Sequence, residues 1–436
     1  MTELLIRFRG PLALLTPEER RALIDRSPAG PRDVRAAVAA VLEGVRRRGD
    51  AAVREFTARF DRVDNGPIEI PKPLWDDALA NLDPGVRSAL ERAARNIETV
   101  HRAGRPIGTV VETEPGIRIE RRPYPLKRVG VYVPGGRAAY PSSVLMGVVP
   151  AKAAGVGEVV VCSPPGPSGL PAPAILAAAS LAGADRLFAI GGAQAIGAMA
   201  YGTDTVPPVD RIVGPGNAYV MEAKLQVSDR VGIDSPAGPS EVLIIADGSS
   251  DPEFIAAELI AQAEHDPDAV AVVVSALGTR HSALGGILAA LGRQIAGAGR
   301  EGVVREALGA RGGVLTAADL DEAARFAEEF GAEHLLLAFE GAEAEVDRFR
   351  TAGAVFVGAC SSVVFGDYLT GANHVLPTGG LARGYSGLGA PDFFRWTTYQ
   401  TVTPAAASRL AGDTAVLARA EGLLGHAVAA QRWESR

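Results

Sequence analysis

From residue 129 onward, short apolar runs alternate with alanine-rich helical stretches, and nothing else in this chain limits its fold as strongly. The first series falls at 129–133, 158–162, 186–190 and 211–213. A second follows at 242–246, 269–274, 313–315, 335–338 and 354–357. Strands that alternate with helices form βαβ units and a parallel sheet. Runs that are apolar throughout, rather than at every second position, suit strands covered by helices on both faces. The glycine-, proline- and serine-rich stretch 232–241 separates the two series, which predicts two α/β lobes. Asp251-Pro252 reads as an N-cap with proline at the first helical position, and Asp266-Pro267 as the end of that helix.

The flanks read differently. Residues 1–30 predict a short helical N-terminal arm. Residues 33–103 predict helices, with Val34, Val38, Val41, Leu42 and Val45 at helical spacing. The alternation Ile117-Arg118-Ile119-Glu120 marks 108–128 as a strand-rich link. A helical C-terminal tail is expected over 390–436.

The 436 residues are 47% hydrophobic and 22% charged, enough for a large core and too apolar for general disorder. A formal net charge of −7 argues against a nucleic-acid partner, which calls for a basic face. No run of 18 apolar residues exists, since Lys152 interrupts the longest candidate, so no membrane span is expected. The N-terminal residues lack an apolar core and a cleavage site, so no signal peptide is expected. Cys162 and Cys360 lie far apart, which excludes a disulfide framework and favours a reducing, cytoplasmic setting. Either thiol is a nucleophile by type. Neither has a base beside it in sequence, and strand-end cysteine is commonly buried.

Four of the six histidines stand in segments with the chemistry of a working site. These are Gln262-Ala263-Glu264-His265, Glu333-His334, the run from Gly366-Asp367-Tyr368 to Asn373-His374-Val375, and Glu421 followed by His426. His101 and His281 lie in ordinary polar contexts. Imidazole, amide oxygen and carboxylate together suit a borderline cation such as zinc. Gln262 and His265 are three apart and share a helix face, although a polar helix end has the same composition. Glu333 and His334, between a helix stop at Gly331 and a strand, are a candidate acid–base pair; alone, the dipeptide is also ordinary. The run 366–380 reads as a long loop after a strand, and such loops are usually functional.

Three glycine loops follow strands in the first lobe: Val133-Pro134-Gly135-Gly136, Ile190-Gly191-Gly192-Ala193-Gln194 and Gly214-Pro215-Gly216-Asn217. The latter two open helices, where a backbone can approach a phosphate at a helix N-terminus. None is GxGxxG, so tight turns explain them equally well from spacing alone.

As an ordered set, these segments resemble the histidinol dehydrogenase family over roughly residues 30–430. The matching runs include Val131-Tyr132-Val133-Pro134-Gly135-Gly136, Gly191-Gly192-Ala193-Gln194-Ala195, Gly214-Pro215-Gly216-Asn217-Ala218, Ala237-Gly238-Pro239-Ser240-Glu241 and those around Gln262, Glu333 and Asp367. The resemblance implies an α/β fold of two incomplete Rossmann-like (aldehyde-dehydrogenase-like) parallel-sheet lobes with small helical N- and C-terminal domains. The NAD-binding lobe is expected at 129–238. A discontinuous substrate and zinc lobe is expected from 31–128 and 239–389.

The implied activity is a zinc-dependent oxidation of L-histidinol to L-histidine through L-histidinal with two NAD, the last two steps of histidine biosynthesis. The resemblance assigns one zinc per subunit to Gln262, His265, Asp367 and His426, and acid–base work to Glu333 and His334. It assigns substrate contacts to Ser240, Gln262, His265, His334, Asp367, Glu421 and His426, and NAD contacts to Tyr132, Gln194 and Asn217. It further implies a homodimer in which each tail, with Glu421 and His426, completes the other subunit's site. The match is loosest over 381–402. Relatives on one scaffold oxidise other small polar alcohols, so a paralogous NAD-dependent dehydrogenase is the alternative.

Overall fold

The computed structural model describes residues 5–26, 32–64, 66–135, 139–276 and 282–434. Gly136 and His281 lie outside them.

The described chain opens with β1 (Phe8–Pro11) and α1 (Pro17–Ile24). A capping box starts α1: Thr16 accepts from the Glu19 N–H, and the Glu19 carboxylate accepts from the Thr16 N–H. Next come α2 (Arg32–Arg48), α3 (Asp50–Asp61), α4 (Lys72–Ala80) and α5 (Pro84–Ala103), then β2 (Thr109–Glu114) and β3 (Ile117–Pro125). The first parallel sheet is made by β4 (Arg128–Tyr132), β5 (Glu158–Ser163), β6 (Arg186–Ala189), β7 (Arg211–Val213) and β8 (Gly232–Ile233). Its crossovers are α6 (Pro141–Ala154), α7 (Pro173–Ala182), α8 (Gly192–Tyr201) and α9 (Ala218–Gln226). The second is made by β9 (Glu241–Ala246), β10 (Val270–Ser275), β11 (Gly313–Thr316), β12 (His334–Ala338) and β13 (Ala354–Val357). Here α10 (Pro252–Ala263), α11 (Ser282–Ile295), α12 (Glu301–Arg311) and α13 (Leu320–Phe330) make the crossovers. The chain ends with α14 (Val363–Tyr368), β14 (Phe394–Val402), α15 (Pro404–Ala420) and α16 (Leu424–Gln431).

Both parallel sheets reverse their strand order once. The first runs β6-β5-β4-β7-β8 and the second β1-β11-β10-β9-β12-β13. The reversal points, β4/β7 and β9/β12, are where open α/β sheets leave a crevice.

Each apolar run from 129 to 357 appears as a strand, and α10 starts at the predicted signal but ends at Ala263, before Asp266-Pro267, so His265 lies beyond the helix and does not share its face with Gln262. The flanks differ from expectation in three respects. The arm is not wholly helical, because β1 adds to the edge of the second sheet, parallel to β11. Its sequence, Phe8-Arg9-Gly10-Pro11, carries the glycine and proline that disguise a strand and that an edge position tolerates. The tail is likewise not wholly helical: β14 pairs antiparallel with β3 along nine residues. Finally, the helices of 33–103 cover the first sheet rather than joining 239–389. Val38, Val45 and Phe56 pack with Val160, Phe188 and Ile196 on one face. Trp75, Leu90 and Ile97 pack with Val129, Val131 and Val161 on the other. Helical periodicity shows that a face is buried but not against which sheet.

The second sheet is covered by α10, α11 and α12 on one face and by α1 and α13 on the other. The third sheet, β14-β3-β2, leaves Val110, Val111, Trp396 and Tyr399 exposed. Beyond it α15 and α16 pack on each other through Ala415, Ala418 and Ala427, while Val416, Leu417, Leu424 and Val428 face outward.

Candidate active site

The predicted acid–base pair sits where β9 and β12 begin. The His334 Nδ1 lies 3.0 Å from the Glu241 carbonyl oxygen. A carbonyl only accepts, so in the neutral ring Nδ1 carries the proton and Nε2 the lone pair. That Nε2 is buried without a hydrogen-bond partner, 3.6 Å from an Asp367 carboxylate oxygen. The Glu333 carboxylate accepts from the Ser240 hydroxyl at 2.8 Å and from the Glu241 N–H at 2.6 Å. Burial pushes its pKa up to about 7, against the opposing pull of His334 and these two hydrogen bonds. A carboxylate near neutrality is suited to general-base work.

Glu241, which positions both members of the pair through its backbone, is held by a clamp that the sequence reading missed. Arg26 binds its carboxylate twice, at 2.8 and 3.1 Å, and donates to the Phe330 carbonyl at 2.9 Å. The guanidinium also stacks over the Phe330 ring at 3.5 Å, and Gly379 donates to Glu241 at 2.9 Å. Both charged side chains are 2% exposed. Removing one partner of a buried pair leaves an uncompensated charge. Arg26→Met is therefore expected to lower unfolding stability by about 3–5 kcal/mol, read as a fall in the urea midpoint. An unchanged midpoint would exclude the clamp as a support of the site.

Of the four predicted metal ligands, Asp367 reaches this pair, and Gln262 and His265 stand at the end of α10, which packs against α14. Gln262 is buried in the last turn of α10, with its amide nitrogen unpartnered. His265 follows the helix end, its Nδ1 3.2 Å from the Gln262 carbonyl oxygen. Asp367 stands on α14 rather than in the loop predicted for it. The Asp367 carbonyl oxygen lies 2.9 Å from the His374 Nδ1. Burial pushes the His374 pKa down, opposed by Asp367 and reinforced by His334 and His265. The fourth ligand does not join them. His426 on α16 and Glu421 at the end of α15 are exposed. Accordingly, no cluster of three or more metal-binding His, Cys, Asp or Glu side chains forms among the described residues.

Glu258, one turn before Gln262 on α10, was also missed. Its carboxylate accepts from the Ser362 hydroxyl and from the Val363 N–H, fastening the start of α14 and hence Asp367. A glutamate four residues from Gln262 on a buried helix face was the available signal.

The three predicted cofactor residues line one cleft of about 1370 Å³ over the first sheet. Tyr132, Gln194 and Asn217 share its wall with Gly135, Gly192 and Asp61. The Tyr132 hydroxyl accepts from the Gly192 N–H at 3.1 Å, and burial pushes the phenol up to about 12, so it stays neutral. Asn217 caps α9 by accepting from the Tyr219 and Val220 N–H groups. A Cβ on Gly214, whose φ is +110°, would meet the Tyr132 carbonyl oxygen at 2.1 Å, so only glycine fits. A buried Lys224–Asp234 ion pair braces that loop: Lys224 donates to the Gly214 carbonyl at 3.0 Å, and Asp234 accepts from the Gly214 N–H at 2.7 Å.

The loop after α14 joins the two regions. Asn373 donates to the Met146 carbonyl on α6 at 2.8 Å, and Thr378 accepts from the Gly238 N–H. Cys162 is fully buried, its thiol pushed up by burial, which removes it as a nucleophile; Cys360 is exposed. His101, which stands in an ordinary polar sequence context, is buried on α5, with its pKa pushed down by burial.

The family model described as histidinol dehydrogenase matches residues 24–433. The chain is 44% identical over 410 residues to the histidinol dehydrogenase of Methanothermobacter thermautotrophicus, covering 94% of this chain and 96% of that protein. It is 46% identical over 417 residues to that of Natronomonas pharaonis, covering 95% and 97%. A crystal structure of histidinol dehydrogenase from Elizabethkingia anophelis superposes with a TM-score of 0.92 at 34% identity, covering 99% of this chain and 98% of that one.

Proposed function

This chain belongs to the histidinol dehydrogenase family, and we propose that it oxidises L-histidinol to L-histidine through L-histidinal, with two NAD as hydride acceptors and a zinc ion in the site. The observation that carries this reading is the free, buried Nε2 of His334 beside a Glu333 whose pKa is pushed up to about 7. Two proton acceptors with different settings suit two successive oxidations.

Gln262, His265 and Asp367 fit a divalent cation by donor chemistry: an amide, an imidazole and a carboxylate, without thiolate. His426 from a second copy would be the fourth ligand. Zinc bound there supplies a fixed anchor for the imidazole and amine of the substrate. Ser240, Gln262, His265, His334, Asp367, Glu421 and His426 would form the substrate pocket. Tyr132, Gln194 and Asn217 would hold NAD in the cleft at the β4/β7 reversal.

The alcohol step follows from the tautomer of His334. Its Nε2 takes the hydroxyl proton as hydride leaves the carbinol carbon for NAD, giving the aldehyde. Glu333 then removes a proton from water as the oxygen adds to the aldehyde carbon. The His334 Nε2 proton passes to the aldehyde oxygen to complete the hydrate; as the hydrate then loses hydride to a second NAD, Nε2 takes a hydroxyl proton, and the resulting carboxylic acid ionises to the carboxylate. The homodimer is part of the same reading, because one chain leaves Glu421 and His426 outside its own site.

The test is NADH release from purified protein with L-histidinol, before and after chelation and zinc readdition. Two NADH per histidinol, lost on chelation and restored by zinc, are expected. No NADH from zinc-loaded protein, with turnover of another small polar alcohol, would move the substrate to a paralogous activity. A pH profile adds a second check. Glu333 must be ionised to act as base, so the rate of L-histidinal oxidation should rise as pH climbs through about 7. A rate flat from pH 5 to 8 would remove Glu333 from that step.

A further inference from the structure

Asp61 lies outside the acid–base and metal account, yet its placement works against stability. It is the last residue of α3, where the helix dipole disfavours a carboxylate. The next residue, Arg62, is the one described non-glycine residue with a left-handed backbone, at φ 59°. The carboxyl lines the nucleotide-sized cleft, and burial alone pushes its pKa up to about 6. Among the described residues it forms no ion pair, and its one hydrogen-bond contact is the Gln194 amide nitrogen, at 3.4 Å. Gly191 presses on it from the loop, where a Cβ would stand 3.2 Å from the carboxylate.

Gln194 supplies an independent observation. It is 1% exposed, and its amide oxygen has no partner. The wall of the cleft therefore presents one buried acceptor without a donor, the Gln194 amide oxygen, beside a half-buried Asp61 carboxylate whose one hydrogen-bond contact is long. Buried acceptors are costly unless something satisfies them, and vicinal hydroxyls are a chemistry that satisfies two at once. The position also selects an end of the ligand. The loop bearing His374 docks on α6, which covers one face of the first sheet. Helix α3, with Asp61, lies in the layer on the other face. The reacting ring has to reach the first side, which leaves the far ribose for Asp61.

We propose that Asp61, backed by Gln194, binds the hydroxyls of the adenosine ribose and thereby selects NAD over its 2′-phosphorylated form. This rests on the dinucleotide reading above. A carboxylate there accepts from the 2′-hydroxyl and repels a phosphate in its place, the same logic by which an acidic residue sets this preference in other dinucleotide folds.

The test measures NADH and NADPH binding to the zinc-loaded full chain by fluorescence titration, for the parent, Asp61→Asn and Asp61→Ser. Asparagine keeps the size and removes the charge; serine makes room, so failure of one variant to fold leaves the other. Weakening of NADH by about tenfold is expected, with the NADH-to-NADPH preference shrinking by about tenfold or more, and KM for NAD rising more than kcat falls. Variants that bind NADH as the parent does, or that weaken both nucleotides equally, would overturn the assignment of Asp61 while the dinucleotide reading stands. A parent that binds neither nucleotide and releases no NADH from histidinol would overturn both.

Discussion

Glu333→Gln is expected to slow L-histidinal oxidation by about 10²–10⁴-fold, the usual contribution of a positioned general base, while slowing L-histidinol oxidation by no more than about tenfold. The substitution is nearly isosteric. Its amide oxygen can still accept from the Glu241 N–H, so the β9/β12 junction keeps its shape. What disappears is the capacity to take a proton from water. In the proposed mechanism the alcohol step needs no water and relies on the His334 Nε2, which the Glu241 carbonyl contact at Nδ1 leaves as an acceptor. Single-turnover NADH formation from each substrate separates the steps. Equal losses in both would reassign Glu333 to holding structure or substrate.

The second large effect concerns the tail. His426→Ala and His334→Ala homodimers should each be nearly inactive, since each lacks a group in both sites. When the two chains are unfolded together and refolded, half of the dimers are mixed by simple statistics. Each mixed dimer has one body with His334 and one tail with His426 that can meet. Recovery should therefore reach about a quarter of the parent activity for an isologous dimer. Mixed dimers verified by differential tags but still inactive would show that the tail serves its own body. The exposure of Glu421 and His426 in a single chain is the structural reason to expect recovery.

The legible part of this fold was the part buried on both sides. Strands such as β5 and β10 are fully covered by helices, so their sequences, Glu158-Val-Val-Val-Cys-Ser163 and Val270-Ala-Val-Val-Val-Ser275, read as continuous apolar runs. β14 is exposed along most of its length, and its mixed sequence carries no such trace. The site was legible where chemistry concentrates in one segment, as at Glu333-His334. It was illegible where two distant residues meet: Arg26 and Glu241 are 215 positions apart, and neither local context hints at the other. The carboxyl-edge rule for open sheets also covers only half of the molecule. It places the cleft at β4 and β7, but the acid–base pair gathers at the amino ends of β9 and β12, which no pattern of apolar runs announces.

β1 has a consequence for how the molecule is made. Phe8–Pro11 pairs with Gly313–Thr316, so this strand waits for a partner about three hundred residues later. A chain emerging from the ribosome at about 5–20 residues per second leaves this arm undocked for tens of seconds. The five-stranded sheet is contiguous over Arg128–Ile233, and most of its covering helices are already made, although Val375, Leu388 and Phe393 join its core later. Arg26 travels with the late arm. The clamp on Glu241, and with it the setting of His334, is thus among the last contacts that synthesis permits. The nascent chain completes the lining of the cleft over its first sheet well before the surroundings of His334 are in place.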